Sequence, residues 1–367
     1  LESPFFISGA RSGPASSVGG ETAAMSSADA PTKTISDYEA TLAKADTAVA
    51  SFEKDDKTFV HVLRNFLRRN PTMIPALVLV LSILAFGILA PRFLGVGALS
   101  TVLKQVTVTG FVALAQTLII LTAGIDLSVG AILVVSSLVM ANLAVFSGVP
   151  VIIAVLIGIF VGGIMGMVNG LLVTLMRLPP FIVTLGTLSI FESLKLWYSQ
   201  SESVRNVDIE ANAAGLLFFG QGFNIGGASI SYGGIALILL AALLWYVLNH
   251  TAWGRHVHAI GDDPDAAMLS GIRVDRTLIS VYTVAGLICG FAAWIAIGRV
   301  GSVSPIAVDT VNLASITAVV IGGTSLFGGR GSIIGTLIGA LIVGVFRNGL
   351  ALSGLEVLWQ DFAVGVL

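Results

Sequence analysis

The stretch VPVIIAVLIGIFVGGIMGMVNGLLVT, residues 149–174, decides the fold class because it contains no charged side chain. About 20 consecutive apolar residues are enough for one helix to cross a bilayer, and this stretch is longer. Within it, glycine recurs at every fourth position, at Gly158, Gly162, Gly166 and Gly170. Small residues at this spacing let a neighbouring helix approach closely. The stretch therefore predicts a membrane helix inside a densely packed bundle.

The composition assigns the rest of the chain to the same class. Of its 367 residues, 55% are hydrophobic and 11% are charged, and the mean hydropathy is +0.95. A soluble globular protein carries about 25% charged residues, so this composition indicates a membrane protein. Residues 1–70 hold 17 of the 40 charged side chains, which separates a polar tail from an almost uncharged body. No basic run indicates a nucleic-acid partner.

Further apolar runs extend the pattern along the chain. We predict spans over 72–90, 99–122, 127–146, 149–174, 181–197, 232–249, 277–298, 313–328 and 332–351. A tenth span begins near Trp359 and is incomplete at Leu367. The predicted fold class is an all-α polytopic membrane protein with about ten transmembrane helices.

Three regions follow from this distribution of charge and hydropathy. Residues 1–24 precede Met25, the first methionine, and are interpreted as a cloning remnant or an upstream extension. Residues 25–70 are predicted to form a polar tail, and residues 71–367 the membrane domain with its incomplete last helix.

The basic residues predict how the chain is oriented in the membrane. Three arginines within residues 64–69 precede the first predicted span, whereas Arg92 alone follows it. Basic residues concentrate on the cytoplasmic side, so the N-terminus and its tail are predicted to be cytoplasmic. Counting spans from there places the loop 250–276 in the cytoplasm and the loop 198–230 on the outer side.

The segment AIGDDPDAAMLSGI, residues 259–272, predicts a short capped helix between two membrane spans. Asp263 is a suitable N-cap, Pro264 occupies the first helical position, and Asp265 places negative charge near the positive end of the helix dipole. Gly271 stands where a left-handed C-cap is needed. We expect a rigid helix of two or three turns outside the bilayer.

Polar side chains at membrane depth are the candidates for a polar pathway, because burying them without partners is costly. Asp126 has two interpretations: its carboxylate caps a helix that begins at Leu127, or it lines the pathway. Amides within the spans either join helices by hydrogen bonds or line the same pathway. The candidate pathway residues are Gln116, Asp126, Ser128, Asn169 and Asn312.

No motif for catalysis, ATP binding or metal binding is found. The run GGTSLFGGRGS, residues 322–332, shares only its glycine content with a phosphate-binding loop, because it lacks the Gly-Lys-Ser/Thr ending. Cys289 is the only cysteine, and the four histidines lack further ligands at metal-binding spacing. We therefore predict no enzyme activity, cofactor or metal in this chain. A second glycine series, again at every fourth position, predicts helix packing: Gly331, Gly335 and Gly339.

Four motifs together carry a resemblance to a known family. TAGIDLSVGA, MRLPPFIVTLGTLSI, AIGDDPDAAMLSGI and GGTSLFGGRGSIIGTLIGALIVG, in this order, resemble the permease subunits of bacterial ABC importers for simple sugars. The ribose and fructose permeases are the nearest type. The resemblance covers roughly residues 70–367 and leaves the N-terminal tail outside.

The resemblance implies a fold, a set of partners and a mechanism. It implies an ABC-importer permease fold in the bacterial inner membrane, surrounded by lipid and paired with a second copy of the permease. It also implies a cytoplasmic tandem-domain ATPase, which binds ATP and magnesium, and a periplasmic sugar-binding protein. A monosaccharide would then cross from periplasm to cytoplasm by alternating access.

The resemblance also implies a role for the short helix of residues 259–272. In similar permeases this segment is the coupling helix, which contacts the ATPase. That role is carried over to Asp263, Pro264, Asp265, Ala266, Ala267, Met268, Leu269, Ser270 and Gly271. Ala266, Ala267, Met268 and Leu269 are the expected contact residues.

Two alternatives remain open at this point. One is a stand-alone secondary transporter or channel, which would use ionisable residues and broken helices at mid-membrane. The other is an ABC permease for a nucleoside or an autoinducer-like solute.

Overall fold

The computed structural model describes residues 72–306 and 311–366, and helices dominate both ranges. All of these residues belong to one unit that spans Val62–Leu367. The predicted tail, residues 25–70, and the extension 1–24 lie outside the described residues.

The first five α-helices contain long apolar runs. They are α1 Met73–Leu89, α2 Val96–Leu121, α3 Val129–Val145, α4 Val151–Met176 and α5 Pro180–Ser199. A 3-10 helix, Pro91–Leu94, connects α1 to α2.

The second half of the chain begins with a folded connection and returns to long helices. The connection consists of α6 Asn206–Asn212, a 3-10 helix Ala214–Gly220, and the strands β1 Gly222–Ile225 and β2 Ala228–Ser231. The helices that follow are α7 Tyr232–His250, α8 Ala252–Asp262, α9 Pro264–Leu269, α10 Val274–Val300, α11 Val311–Ile321, α12 Ile333–Leu352 and α13 Val357–Val366.

The helix lengths confirm a polytopic membrane protein. In the described part of the chain, five helices are long and apolar enough to cross a membrane: α2, α4, α7, α10 and α12. Three shorter apolar helices, α1, α3 and α11, accompany them. In the described residues the fold departs from the all-α prediction in the hairpin of β1 and β2, which pair antiparallel from Gly222 with Ser231 to Ile225 with Ala228, and in one isolated bridge between Val204 and Val303.

The predicted span 313–328 is wrong in its second half. Helix α11 ends at Ile321, and residues 322–332 form turns instead. The described part of α11 begins at Val311, directly after residues 307–310, which lie outside the described residues. The cause of the early end is the pair Gly322 and Gly323, because glycine weakens a helix and Gly323 adopts a positive φ of 88°.

The predicted loop 198–230 is a folded element that packs on α10. The rings of Phe219 and Trp294 lie 4.6 Å apart in an edge-to-face arrangement, and Phe291 lies 5.4 Å from Phe219. The indole N–H of Trp294 also donates to the carbonyl of Gly215 at 3.4 Å. Aromatic packing therefore holds this connection against the membrane helices.

The glycine series of α4 lies at the crossing of α4 and α10. A methyl group on Gly162 would lie 2.6 Å from the carbonyl oxygen of Gly286, and one on Gly170 would lie 2.9 Å from the Cα of Ile279. Gly166 faces the same helix, at the carbonyl oxygen of Tyr282. The two backbones touch at this crossing, which only glycine permits.

The remaining predicted packing glycines serve other contacts. Gly158 faces Met140 of α3 rather than α10. Gly335 and Gly339 place α12 directly against the end of α11, whereas Gly331 precedes α12 and faces the side chain of Thr324.

Candidate functional site

A buried polar network lies between α2 and α3. Asp126 is 1% exposed, and its Oδ1 accepts hydrogen bonds from the backbone N–H and the hydroxyl of Ser128, both at 2.7 Å. Its Oδ2 accepts a hydrogen bond from Nδ2 of Asn169 on α4 at 3.0 Å, and the same nitrogen donates to the Ser128 hydroxyl at 2.7 Å. Three of the five predicted pathway residues therefore form one network.

The prediction that Asp126 caps a helix beginning at Leu127 is wrong. Helix α3 begins two residues later, at Val129, with Ser128 in the N-cap position and no side-chain cap bond. The carboxylate instead binds the N–H of Ser128 and holds the non-helical connection before the helix. Ala123, which follows α2 with a positive φ of 59°, lies at the other end of this connection.

Helices α5 and α11 hold the same connection from other sides. The hydroxyl of Thr184 on α5 accepts from the N–H of Leu127 at 3.2 Å and donates to the carbonyl of Ile125 at 3.1 Å. On α11, Asn312 donates to the carbonyl of Leu127 at 2.7 Å and accepts the N–H of Gly130 at 2.5 Å. Side chains from α4, α5 and α11 thus converge on residues 125–130.

Two further buried polar groups lie close to this region along the chain or in space. Gln116 on α2 is fully buried, and neither of its amide atoms has a hydrogen-bond partner among the described residues. Tyr282 on α10 is 1% exposed with an unpaired hydroxyl, which lies 2.8 Å from the position of a methyl group on Gly124. Such groups are uncommon in folded proteins and indicate an ordered water or a functional role.

Tyr282 is not among the residues predicted from the sequence, because an isolated tyrosine in an apolar span is typical of a packing residue. Its polar tip becomes notable only when α10 places it against the connection that contains Asp126. Thr184 was missed for the same reason. Four of the five predicted residues carry charged or amide groups at membrane depth, which is the signal that identified them, and Ser128 was identified by its place beside Asp126.

A second candidate site is a polar cavity of about 330 Å³ between α2, α10 and α12. This volume is at the lower end of the range for small-molecule pockets. An arginine N–H of Arg299 donates to the backbone carbonyl of Gln105 at 3.4 Å. The polar residues that line the cavity are Gln105, Thr109, Arg299, Arg347 and Gln360.

The cavity was not identified from the sequence, although part of its signal was present. Gln105 and Thr109 are four residues apart on α2, which places them on one helix face. Arg299 and Arg347 lie near the ends of two distant spans, and their proximity depends on tertiary packing.

The third candidate is the capped helix α9. The carboxylate of Asp263 accepts the N–H groups of Asp265 at 2.9 Å and Ala266 at 3.1 Å, and Pro264 occupies the first turn. Gly271 has a φ of 83° just after the helix, as a left-handed C-cap requires. The residues that cap α9 are thus placed as the sequence predicts.

The four expected contact residues on α9 are not equivalent. Leu269 is 87% exposed and Met268 is 59% exposed, and Ala266 is also exposed. The expectation that Ala267 contacts a partner is wrong for this conformation, because Ala267 is only 4% exposed and faces its own chain. The direction of a side chain on so short a helix depends on what the helix packs against.

Residues 72–306 and 311–366 contain no group of three or more His, Cys, Asp or Glu side chains arranged to hold a metal ion. The ring of His258 instead lies 3.0 Å from the carbonyl oxygen of Gly329, where its Nδ1 makes a hydrogen bond.

A bundle of long apolar helices with a buried polar network and a polar cavity is the architecture of a membrane transport protein. Comparison with known proteins identifies the family: residues 98–367 match the family described as branched-chain amino acid transport system / permease component. The chain belongs to this permease family.

Three curated relatives are similar over most of the chain. The fructose import permease protein FrcC of Rhizobium meliloti is 53% identical over 332 residues, covering 90% of this chain and 92% of that protein. The ribose import permease protein RbsC of Bacillus subtilis is 40% identical, covering 80% and 89%. The D-allose transport system permease protein AlsC of Escherichia coli is 34% identical, covering 79% and 87%. No solved structure matches this chain.

Proposed function

We propose that this chain is the transmembrane subunit of an ATP-driven importer that moves a monosaccharide from periplasm to cytoplasm. The curated relatives are named as import or transport permeases for fructose, ribose and allose, which supports a monosaccharide as cargo. The permease pairs with a second copy in the bacterial inner membrane, with its N-terminus in the cytoplasm. A tandem-domain ATPase binds ATP and magnesium, and a periplasmic sugar-binding protein delivers the cargo.

The observation that carries this proposal is the exposed apolar end of α9. Leu269 and Met268 expose large apolar side chains on a helix that is capped at both ends. Exposed apolar side chains on a rigid element are typical of an interaction site. A coupling helix needs both properties, because it must bind the ATPase and transmit its displacement without bending.

The polar cavity supports the proposed cargo. Amide, hydroxyl and guanidinium groups line it, and all of these can hydrogen-bond to sugar hydroxyls. A transport path must bind its cargo weakly enough to release it. Alternating access would open this cavity first to the periplasm and then, past the polar network at residues 125–130, to the cytoplasm.

One observation favours a second candidate, the stand-alone secondary transporter. The break between α2 and α3 contains the buried carboxylate of Asp126. Broken helices beside an ionisable group are typical of ion-coupled transporters. The exposed surface of α9 has no role in such a protein.

Reconstitution with and without the partners distinguishes these functions. We expect proteoliposomes that contain the permease alone to show no sugar flux, whereas the complete importer takes up sugar when ATP is supplied. In the complete importer, Leu269→Asp should lower stimulation of the ATPase by the loaded binding protein about tenfold, as loss of an interface hot spot does.

Arg276→Asp is the control, since it places the same side chain at an exposed position in the first turn of α10, outside α9. We expect near-normal stimulation for this variant. Sugar uptake by the permease alone, driven by an ion gradient, would contradict the proposal and support the secondary transporter.

A further inference from the structure

Phe327 is the most exposed large apolar side chain among the described residues, at 91%, and Leu269 follows at 87%. Phe327 belongs to the glycine-rich turns between α11 and α12, more than 50 residues further along the chain than α9. Leu326, its neighbour, is 41% exposed. Two separate segments of the chain therefore each carry a highly exposed apolar side chain.

The turn that carries Phe327 has a defined geometry. The N–H of Gly328 donates to the carbonyl of Ser325 at 3.1 Å, which closes a turn with Leu326 and Phe327 at its tip. The hydroxyl of Ser325 accepts the N–H of Phe327 at 3.2 Å, and the N–H of Ser325 donates to the carbonyl of Arg330 at 2.8 Å. These bonds fix the direction in which the aromatic ring projects.

The base of this turn is clamped between α8 and the end of α2. The N–H of Gly329 donates to the carbonyl of Leu121 at 3.0 Å, and its carbonyl bonds His258. A methyl group on Gly328, which has a φ of 83°, would lie 2.6 Å from the carbonyl oxygen of Gly261. This close approach explains the glycines that resemble a phosphate loop.

The clamp also brings Phe327 close to α9. A methyl group on Gly329 would lie 3.1 Å from the Cα of Asp262, the last residue of α8, and Asp263 then caps α9. Phe327 is only two residues from Gly329, so its turn adjoins the start of α9. Both protrusions are therefore attached to the junction of α8 and α9.

We propose that Phe327, with Leu326, is a second contact for the cytoplasmic ATPase, beside the α9 contact of Met268 and Leu269. The inference rests on the proposed function, because it takes the partner of α9 to be the ATPase. The surface would bind a partner face with an apolar pocket for the phenylalanine ring.

The position of the turn identifies the partner. Gly328 and Gly329 pack against Gly261 and Asp262 directly before α9, so a protein bound to α9 would also reach the Phe327 turn. Exposed charges of both signs lie on these segments: Asp262, Asp263, Asp265, Arg255, Arg273 and Arg330. So many charged side chains are costly to place in the hydrocarbon core, so the partner approaches from the aqueous side.

The contact would act directly on the inner end of the transport path. Leu121 accepts the hydrogen bond from Gly329, and Gly328 lies against the N–H of Ala123. Ala123 is three residues before Asp126. A displacement of the Phe327 turn would therefore reach the connection that carries the polar network, without passing through α9.

Site-specific photo-crosslinking tests the proposal in the complete importer in proteoliposomes. We would replace Phe327, Leu269 and Phe160 in turn by p-benzoylphenylalanine. Phe160 is a matched control, because it is 64% exposed on the membrane helix α4. We expect adducts with the ATPase from positions 327 and 269, and none from position 160.

The outcomes separate this inference from the proposed function. If position 269 crosslinks to the ATPase but position 327 crosslinks only to lipid, only to a second permease or to nothing, the second contact alone is overturned. Failure of both positions to reach the ATPase would overturn the α9 contact as well.

A functional measurement complements the crosslinks. Phe327→Ala should lower stimulation of the ATPase by the loaded binding protein about tenfold, the loss expected for an aromatic interface anchor. Phe160→Ala should leave stimulation unchanged. Equal stimulation in both variants would contradict the proposal.

Discussion

At the scale of single residues, the carboxylate of Asp126 organises the polar network. It accepts three hydrogen bonds, two from Ser128 and one from Asn169, and it needs acceptor atoms on both of its oxygens. An asparagine has one acceptor oxygen and one donor nitrogen, so it satisfies only one of these sides. The network therefore depends on a carboxylate rather than on any polar side chain of this size.

Replacing Asp126 by its amide, alone and together with the reverse exchange at Asn169, tests that dependence. Asp126→Asn places an amide donor against the Nδ2 donor of Asn169, so we expect the permease to lose about 1–3 kcal/mol of unfolding free energy. The double variant Asp126→Asn with Asn169→Asp restores one donor and one acceptor across the contact, and should recover part of this loss. Thermal unfolding of the purified permease measures both. A single variant as stable as the unaltered protein would contradict the assignment.

Polar residues at membrane depth could be found from the sequence, but their partners could not. Asp126, Asn169 and Asn312 stand out because each is costly to bury. Which of them meet depends on the crossings of α4 and α11 with the α2–α3 connection. The expectation that Ala267 contacts a partner was wrong for the same reason, since the inward direction of its side chain depends on tertiary packing that no local pattern encodes.

At the scale of elements, the crossing of α4 and α10 is reciprocal. Gly286 and Gly290 on α10 face the glycine series of α4, and a methyl group on Gly290 would lie 2.8 Å from the Cα of Ile159. The series on α4 was predicted from the sequence, but the pair on α10 was not, although Gly286 and Gly290 have the same spacing of four. Small residues on both helices bring the backbones together where lipid provides no hydrophobic drive.

A pair of glycine substitutions tests this crossing. Gly166→Ala places a methyl group against the carbonyl of Tyr282, so we expect it to destabilise the permease by about 1–3 kcal/mol. Gly186→Ala on α5 is the control, because nothing lies within 4 Å of its added methyl group. Alanine is the better helix former, so this variant should gain about 0.5–1 kcal/mol. Thermal unfolding in one detergent measures both, and equal shifts would show that the crossing is not tight.

Element boundaries followed the sequence closely for most spans, and the end of α11 is the clear exception. The prediction 149–174 is close to α4, which Pro150 precedes. The prediction 313–328 exceeds α11 because Leu326 and Phe327 continue the apolar run beyond Gly322 and Gly323. Hydropathy does not distinguish an apolar turn that binds a partner from an apolar helix that binds lipid.

At the scale of the whole molecule, α2 connects the polar cavity to the region of the polar network and to the Phe327 turn. Gln105 and Thr109 line the polar cavity near its start, Gln116 is buried beyond its middle, and Leu121 at its end accepts the hydrogen bond from Gly329. A helix of 26 residues is about 39 Å long, enough to extend across the bilayer. Movement of its inner end by the ATPase would therefore also alter the cavity.

This arrangement predicts that the cavity is on the transport path. Thr109→Trp should fill the space that a monosaccharide would occupy, because the residue lines the cavity and tryptophan is the largest side chain. Sugar uptake by the complete importer should fall to about a tenth or less, since a close-packed cavity has no room for both. Thr101→Trp on the same helix is the control, because Thr101 is exposed and outside the cavity lining. Co-purification of the ATPase establishes that both variants assemble. A Thr109→Trp importer that assembles and transports at the unaltered rate would place the path elsewhere, and α2 would then transmit the movement without carrying the cargo.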